Sequence, residues 1–163
     1  MAAYNTPRHA PTDTALNPVE VRLKGGMLAL NRFLMTLQNK RMPIASFTAG
    51  RDEEGMRVTI LLDCPPESAR RYTALLSALE DVEQIEATAE TMEIALLRAE
   101  GDAWRESAAR AGIGIHEEGG TVVASGDPEK LEAWLAGIED ELLEDVVRFG
   151  PMARPSGRAW GGI

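Results

Sequence analysis

Val19, Val21 and Leu23 alternate with Glu20, Arg22 and Lys24, the period-two pattern of a strand with one buried face. After Gly25-Gly26, the apolar residues Met27, Leu30, Phe33, Leu34 and Leu37 recur at helical spacing, which predicts an amphipathic helix ended by Pro43. Ile44 to Ala49, then Met56, Val58, Ile60 and Leu62, read as two strands of a hairpin around the polar loop Gly50 to Gly55. Pro65 and Pro66 open a second helix with Tyr72, Leu75, Leu76 and Leu79 on one face, before a short strand from Val82 to Ala87. The order is β-α-β-β-α-β.

The same order recurs. Met92, Ile94 and Leu96 form a strand, Trp104, Ala108 and Ala111 line a short helix, and Ile113 and Ile115 lead into a hairpin that returns through Thr121 to Ala124. Asp127 caps a last helix with Pro128 in its first turn, and Leu131, Trp134, Leu135 and Ile138 make its apolar stripe before a strand from Leu143 to Arg148. The fold class is therefore α+β: two ferredoxin-like βαββαβ units, each an antiparallel sheet with helices on one face. We expect a disordered leader over 1–17, a first unit over 18–88, a second over 92–150 and an irregular tail over 151–163, where Pro151, Pro155, Gly157, Gly161 and Gly162 cluster.

Charge narrows the partners. Seventeen Lys and Arg against 26 Asp and Glu give a net charge of −9, which repels phosphate backbones and anionic membrane surfaces, so neither nucleic acid nor membrane is expected. The single cysteine, Cys64, cannot form an internal disulfide, the leader lacks an apolar core, and no apolar run spans a bilayer. A reducing cytoplasm fits these features.

Catalytic chemistry is hard to assemble from this chain. Its two histidines are His9, in the leader, and His116, beside Glu117 and Glu118 in a hairpin exposed to solvent. Cys64 has no basic neighbour to lower its pKa, and neither clustered Cys and His nor a calcium-type ligand loop is present, so no catalytic residue and no metal site is assigned. The turn Gly25-Gly26-Met27-Leu28 lacks a phosphate-loop motif, yet it begins a helix, whose free N–H groups suit the carboxylate of an amino-acid effector.

Several segments then converge on one family. Leu30-Asn31-Arg32-Phe33 followed by Ile44-Ala45-Ser46-Phe47-Thr48-Ala49-Gly50 resembles the L-x-R-V helix and I-E-S-L-T-V-G strand of acetolactate synthase small subunits, at matching spacing. Arg57-Val58-Thr59-Ile60 resembles their R-M-T-I strand, and Leu76 to Val82 their L-x-K-L-x-D-V segment, with Ala78 replacing lysine. In the second half, Ile94-Ala95-Leu96-Leu97 resembles the opening strand of their second domain. Ser125-Gly126-Asp127-Pro128-Glu129-Lys130-Leu131-Glu132-Ala133 is similar to T-G-D-x-x-K-x-E-A, and Glu144 to Gly150 to E-x-V-R-T-G. The resemblance spans Val19 to Arg154.

What the resemblance implies is a non-catalytic regulatory subunit whose first unit is an ACT domain, paired with a second copy into a homodimer. Its partner would be the large catalytic subunit, which carries thiamine diphosphate, magnesium and FAD in branched-chain amino acid biosynthesis; no cofactor is expected in this chain. The family's N-x-x-G-x-L effector loop maps, with its leucine on Leu30, so that Gly25 stands in place of asparagine and Leu28 in place of glycine. That departure predicts weak or absent valine feedback. Architecture alone does not choose the partner, so a free-standing ACT sensor acting on another enzyme is the alternative. An independent small enzyme would need a cleft of perturbed titratable groups that the sequence does not offer.

Overall fold

The structure, a computed structural model, describes residues 16–53 and 55–154. The first unit consists of β1 (Leu16–Lys24), α1 (Met27–Asn39), β2 (Ile44–Arg51), β3 (Gly55–Asp63), α2 (Pro66–Ser77) and β4 (Val82–Ala87). The second consists of β5 (Thr91–Ala99), α3 (Ala103–Ala111), β6 (Gly114–Glu118), β7 (Thr121–Gly126), α4 (Pro128–Gly137) and β8 (Leu143–Ala153), with a 3₁₀ turn at Asp140–Leu142. Two separate antiparallel sheets result, ordered β2-β3-β1-β4 and β6-β7-β5-β8. Both repeats are thus βαββαβ units of the ferredoxin-like kind.

Each unit has its own core because each sheet buries one face beneath two helices. In the first, Val19, Val21 and Leu23 of β1 and Val58, Ile60 and Leu62 of β3 meet Leu30, Phe33 and Leu37 of α1 and Leu76 of α2. Fully burying such a side chain contributes roughly 1.5–3 kcal/mol, so the alternation along β1 and the stripe on α1 decide which faces meet. In the second, Ala95 and Leu97 of β5 pack with Trp104, Ala108, Leu131 and Trp134. Both indoles keep a partner: Trp104 Nε1 donates to the Gly101 carbonyl at 2.7 Å and Trp134 Nε1 to Ser107 Oγ at 3.0 Å.

Several expectations need correction. Strand β5 turns Ala95 and Leu97 into the core, one residue out of phase with Met92, Ile94 and Leu96, which lie half-buried on the other face. Leu75 of α2 is exposed, and Ala69 takes its place beside Leu76. The first helix stops at Asn39, before Pro43, as the chain turns through Arg41 at φ 49°. The expected leader over 1–17 overlaps β1: Leu16 and Asn17 pair with Asp63 and Leu62, and Asn17 Nδ2 donates to the Cys64 carbonyl at 2.7 Å. Pro18 fits inside this central strand because β4 ends opposite Val19, leaving no ladder donor required at that position. Residues 1–15 lie outside the described residues.

The expected tail over 151–163 is corrected likewise. Strand β8 continues through Pro151 and Met152 to Ala153, and 155–163 lie outside the described residues. Its end pairs with Thr91 and Met92 and also lies on the first unit: Ser46 Oγ donates to the Gly150 carbonyl, Thr48 Oγ1 to the Pro151 carbonyl, and the Ala153 N–H to Thr59 Oγ1 at 2.8 Å. This seat joins the two units and buries Thr59, Leu61 and Glu20 on the helix-free face of the first sheet.

The capping role of Asp127 is realised, with its Oδ1 accepting from the backbone N–H groups of Glu129 and Lys130, both at 3.1 Å. Asp127→Ala is expected to cost the second unit about 1 kcal/mol, read as a lowered urea midpoint at unchanged m-value. An unchanged midpoint would mean the cap contributes nothing.

Candidate functional site

The β1–α1 turn is where the sequence places an effector, and its geometry is that of an open helix N-terminus. Gly25 has φ +83°, a conformation that favours glycine, and Gly26 is the N-cap residue with no side chain to occupy the cap. Helix α1 begins at Met27, and its first intrahelical bond runs from the Leu30 N–H to the Gly26 carbonyl at 3.2 Å. The N–H groups before Leu30 therefore have no intrahelical acceptor, and the first turn has no acidic side chain to compete for an anion.

One residue that sequence reasoning missed holds the turn in place. Gly55, opposite Lys24 on β3, lies so close to β1 that a Cβ there would sit 2.0 Å from the Leu23 carbonyl oxygen. No side chain fits at that position without moving the strand. Gly25 and Gly26 supply backbone only, while Met27 and Leu28 are 71% and 67% exposed. The turn thus brings together helix-end donors and two apolar side chains, without a side-chain amide to fix an ammonium or a carboxylate.

Beside the turn, two of the residues in the resembling segments meet. Arg32 of α1 forms a bidentate pair with Asp81, Nε to Oδ2 and Nη2 to Oδ1, both at 2.7 Å, and the Lys24 N–H donates to the Asp81 carbonyl at 2.8 Å. The Arg32 guanidinium holds the Asp81 carboxyl below the usual carboxylate range, chiefly through the hydrogen bond. Asp81 thereby ties the end of β1, the second turn of α1 and the start of β4 together, which fixes the angle at which α1 leaves the sheet.

The surface next to the turn has the features of an interface. Strand β2 is an edge strand, and on α1 Met27, Leu28, Leu34 and Met35 form an exposed apolar stripe separate from the buried one. An edge strand and an exposed apolar stripe are each features that a partner surface can cover. On the helix-free face, Arg57 Nε lies 3.3 Å from Glu20, and Asp52 lies between Arg57 at 3.3 Å and Arg22 at 3.6 Å. Burial raises the Glu20 pKa, with Arg57 opposing it, whereas the Glu53 backbone N–H lowers that of Asp52.

The other candidate groups are placed apart. Cys64 is buried at the end of β3, and burial, reinforced by Asp63, raises its thiol pKa. His116 is an exposed residue of β6. Among the described residues no three His, Cys, Asp or Glu side chains converge as a metal site, and no helix is long and apolar enough to cross a membrane.

No family model matches the sequence, and no curated protein matches it by sequence. By fold, the chain is similar to the acetolactate synthase small subunit from Thermotoga maritima, with a TM-score of 0.70 at 16% identity over 83% of this chain and 94% of that one. Both units of this chain are therefore accounted for by a fold already known.

Proposed function

We propose that this chain is the regulatory small subunit of an acetolactate synthase, with its first unit an ACT domain. The observation that carries the proposal is the paired βαββαβ architecture, whose similarity extends over 94% of the small subunit from Thermotoga maritima. The Arg32–Asp81 pair supports it, since it joins two of the segments that resemble this family. The chain does no chemistry itself. It binds the large catalytic subunit, where thiamine diphosphate, magnesium and FAD reside, in the cytoplasm.

Activation then follows from preferential contact. A subunit that binds the active arrangement of its partner more tightly than the inactive one raises the active population by that difference in affinity. The β2 edge and the exposed stripe of α1 serve a homodimer, in which two copies join their first sheets side by side and cover both edges. The turn at Gly25, Gly26, Met27 and Leu28 is the effector site, open to a branched-chain amino acid but poorly furnished to hold one.

Co-purification tests the partner. The chain, tagged and expressed with the thiamine diphosphate-dependent large subunit of the same host, is expected to elute with it in one complex. Elution of two independent species at micromolar concentration would contradict the proposal.

A further inference from the structure

The helix-free faces of the two sheets differ in kind. On the first, Glu20 stands between Thr59 and Glu86, and Arg22 beside Arg57, so that face is charged. On the second, Ile94 of β5 stands between Ser125 and Phe149, and Leu96 between Val123 and Val147. None of these six side chains is charged, and Val147 and Phe149 are 50% and 48% exposed. At one end of the two rows Arg98 lies opposite Glu144, and at the other Met92 lies opposite Met152. With strands about 4.8 Å apart and same-face residues about 7 Å apart, the apolar patch covers roughly 300 Å² in the plane of the sheet. A contiguous apolar area of that size on a sheet face is the mark of a surface that something covers.

We propose that this patch packs against the same patch of a second copy of the chain, an inference that rests on the side-by-side homodimer proposed above. In that dimer β2 is the joined edge, and both helix-free faces lie on one side of the joined sheet. The second unit is fastened to that face by Ser46 and Thr48 of β2 and Thr59 of β3, the two strands next to the joined edge. A unit of this length has a radius of gyration of about 10 Å, twice the spacing of neighbouring strands, so two units hung beside one edge meet. The net charge of −9 on each chain makes most pairings of their surfaces repulsive, whereas an uncharged face can be buried against itself. Area argues for the same occupant. Two such patches bury roughly 600 Å², about half of the ~1,200 Å² at which stable interfaces begin. An unrelated protein docked on this patch alone would bind weakly. A second copy already held by the first sheet meets it at a high effective concentration.

Thiol crosslinking of the full chain tests this. Cys64 is the one native cysteine and is buried, so Phe149→Cys adds a single accessible thiol. The unaltered chain is expected to sediment as a dimer, and a short bis-maleimide is expected to join the two copies of Phe149→Cys within it. Arg110→Cys, exposed on α3 on the opposite side of the second sheet, is expected to stay unjoined. Phe149→Glu, which places like charges against each other at a half-exposed position, is expected to raise the dissociation constant of the dimer by about tenfold or more while circular dichroism stays the same. A dimer in which Phe149→Cys is joined no better than Arg110→Cys overturns the proposal and leaves the side-by-side pairing standing. A dissociation constant unmoved by Phe149→Glu overturns it as well, as do crosslinked tetramers in place of crosslinked dimers, which would put the face between dimers. A chain that sediments as a monomer overturns both this face and the homodimer. Co-elution with the large subunit is a separate measurement, so the function proposed above and this interface can fail independently.

Discussion

Replacing Arg148 with methionine is expected to destabilise the second unit by about 3 kcal/mol, the low end of the range for breaking a buried ion pair. Glu93 is 3% exposed on the helix side of β5, and Arg148 of β8 bonds both to it and to Glu132 of α4. The Arg148 head is partly solvated, which places the loss at the lower end. Burial works against its charge, and the hydrogen bonds to the two carboxylates outweigh it and raise its pKa. Methionine keeps the apolar stem but leaves the Glu93 carboxylate buried without its cation. A urea titration followed by far-ultraviolet circular dichroism measures the effect, and the double variant Glu93→Gln with Arg148→Met should recover part of it. A loss below 1 kcal/mol would show that water reaches Glu93 when the arginine is gone.

The second large effect concerns feedback. Valine is expected to bind this chain at least a hundredfold more weakly than it would bind a turn carrying the full N-x-x-G-x-L motif. A bound amino acid needs its carboxylate and ammonium satisfied, and each polar group left unpaired costs roughly 1–3 kcal/mol, where about 1.4 kcal/mol is tenfold in affinity. Helix-end N–H groups at Met27 and Leu28 can meet a carboxylate, but Gly25 offers no amide, and in the register that the resemblance implies Leu28 stands at the motif's glycine position. The double change Gly25→Asn with Leu28→Gly is expected to introduce valine binding. Asparagine is among the residues that tolerate the positive φ at position 25, while glycine within α1 costs roughly 1 kcal/mol of helix stability. Calorimetric titration with valine, leucine and isoleucine decides the matter, and tight valine binding by the unaltered chain would contradict it.

Both βαββαβ units were legible in the sequence because β1, β3, α1 and α4 each expose one clean periodicity. Strand β5 misled because it is apolar on both faces, and the charged Glu93 among its inward positions looks like a solvent marker. Its partner Arg148 is 55 residues away, beyond the reach of any local pattern. The ends of β1 and β8 were misplaced for the same reason. Asp63 and Leu62 draw Leu16 and Asn17 into the sheet, and Thr48 and Thr59 hold the end of β8 despite its Gly150-Pro151.

At the candidate site, adjacency made the turn itself readable from Gly25 to Leu28. Gly55 was not readable, because nothing local says that its backbone must touch that of Leu23. The union of Arg32 with Asp81, 49 residues apart, was foreshadowed only as two separate resembling segments.

The role proposed for this chain is to change the turnover of a partner enzyme. Its most direct test is the rate of acetolactate formation from pyruvate by the cognate large subunit, supplied with thiamine diphosphate, magnesium and FAD, across a titration of this chain. No product is expected from this chain alone, and the large subunit's rate is expected to rise saturably to a plateau. A rate that stays flat across the titration, in conditions where the large subunit is active, would contradict it.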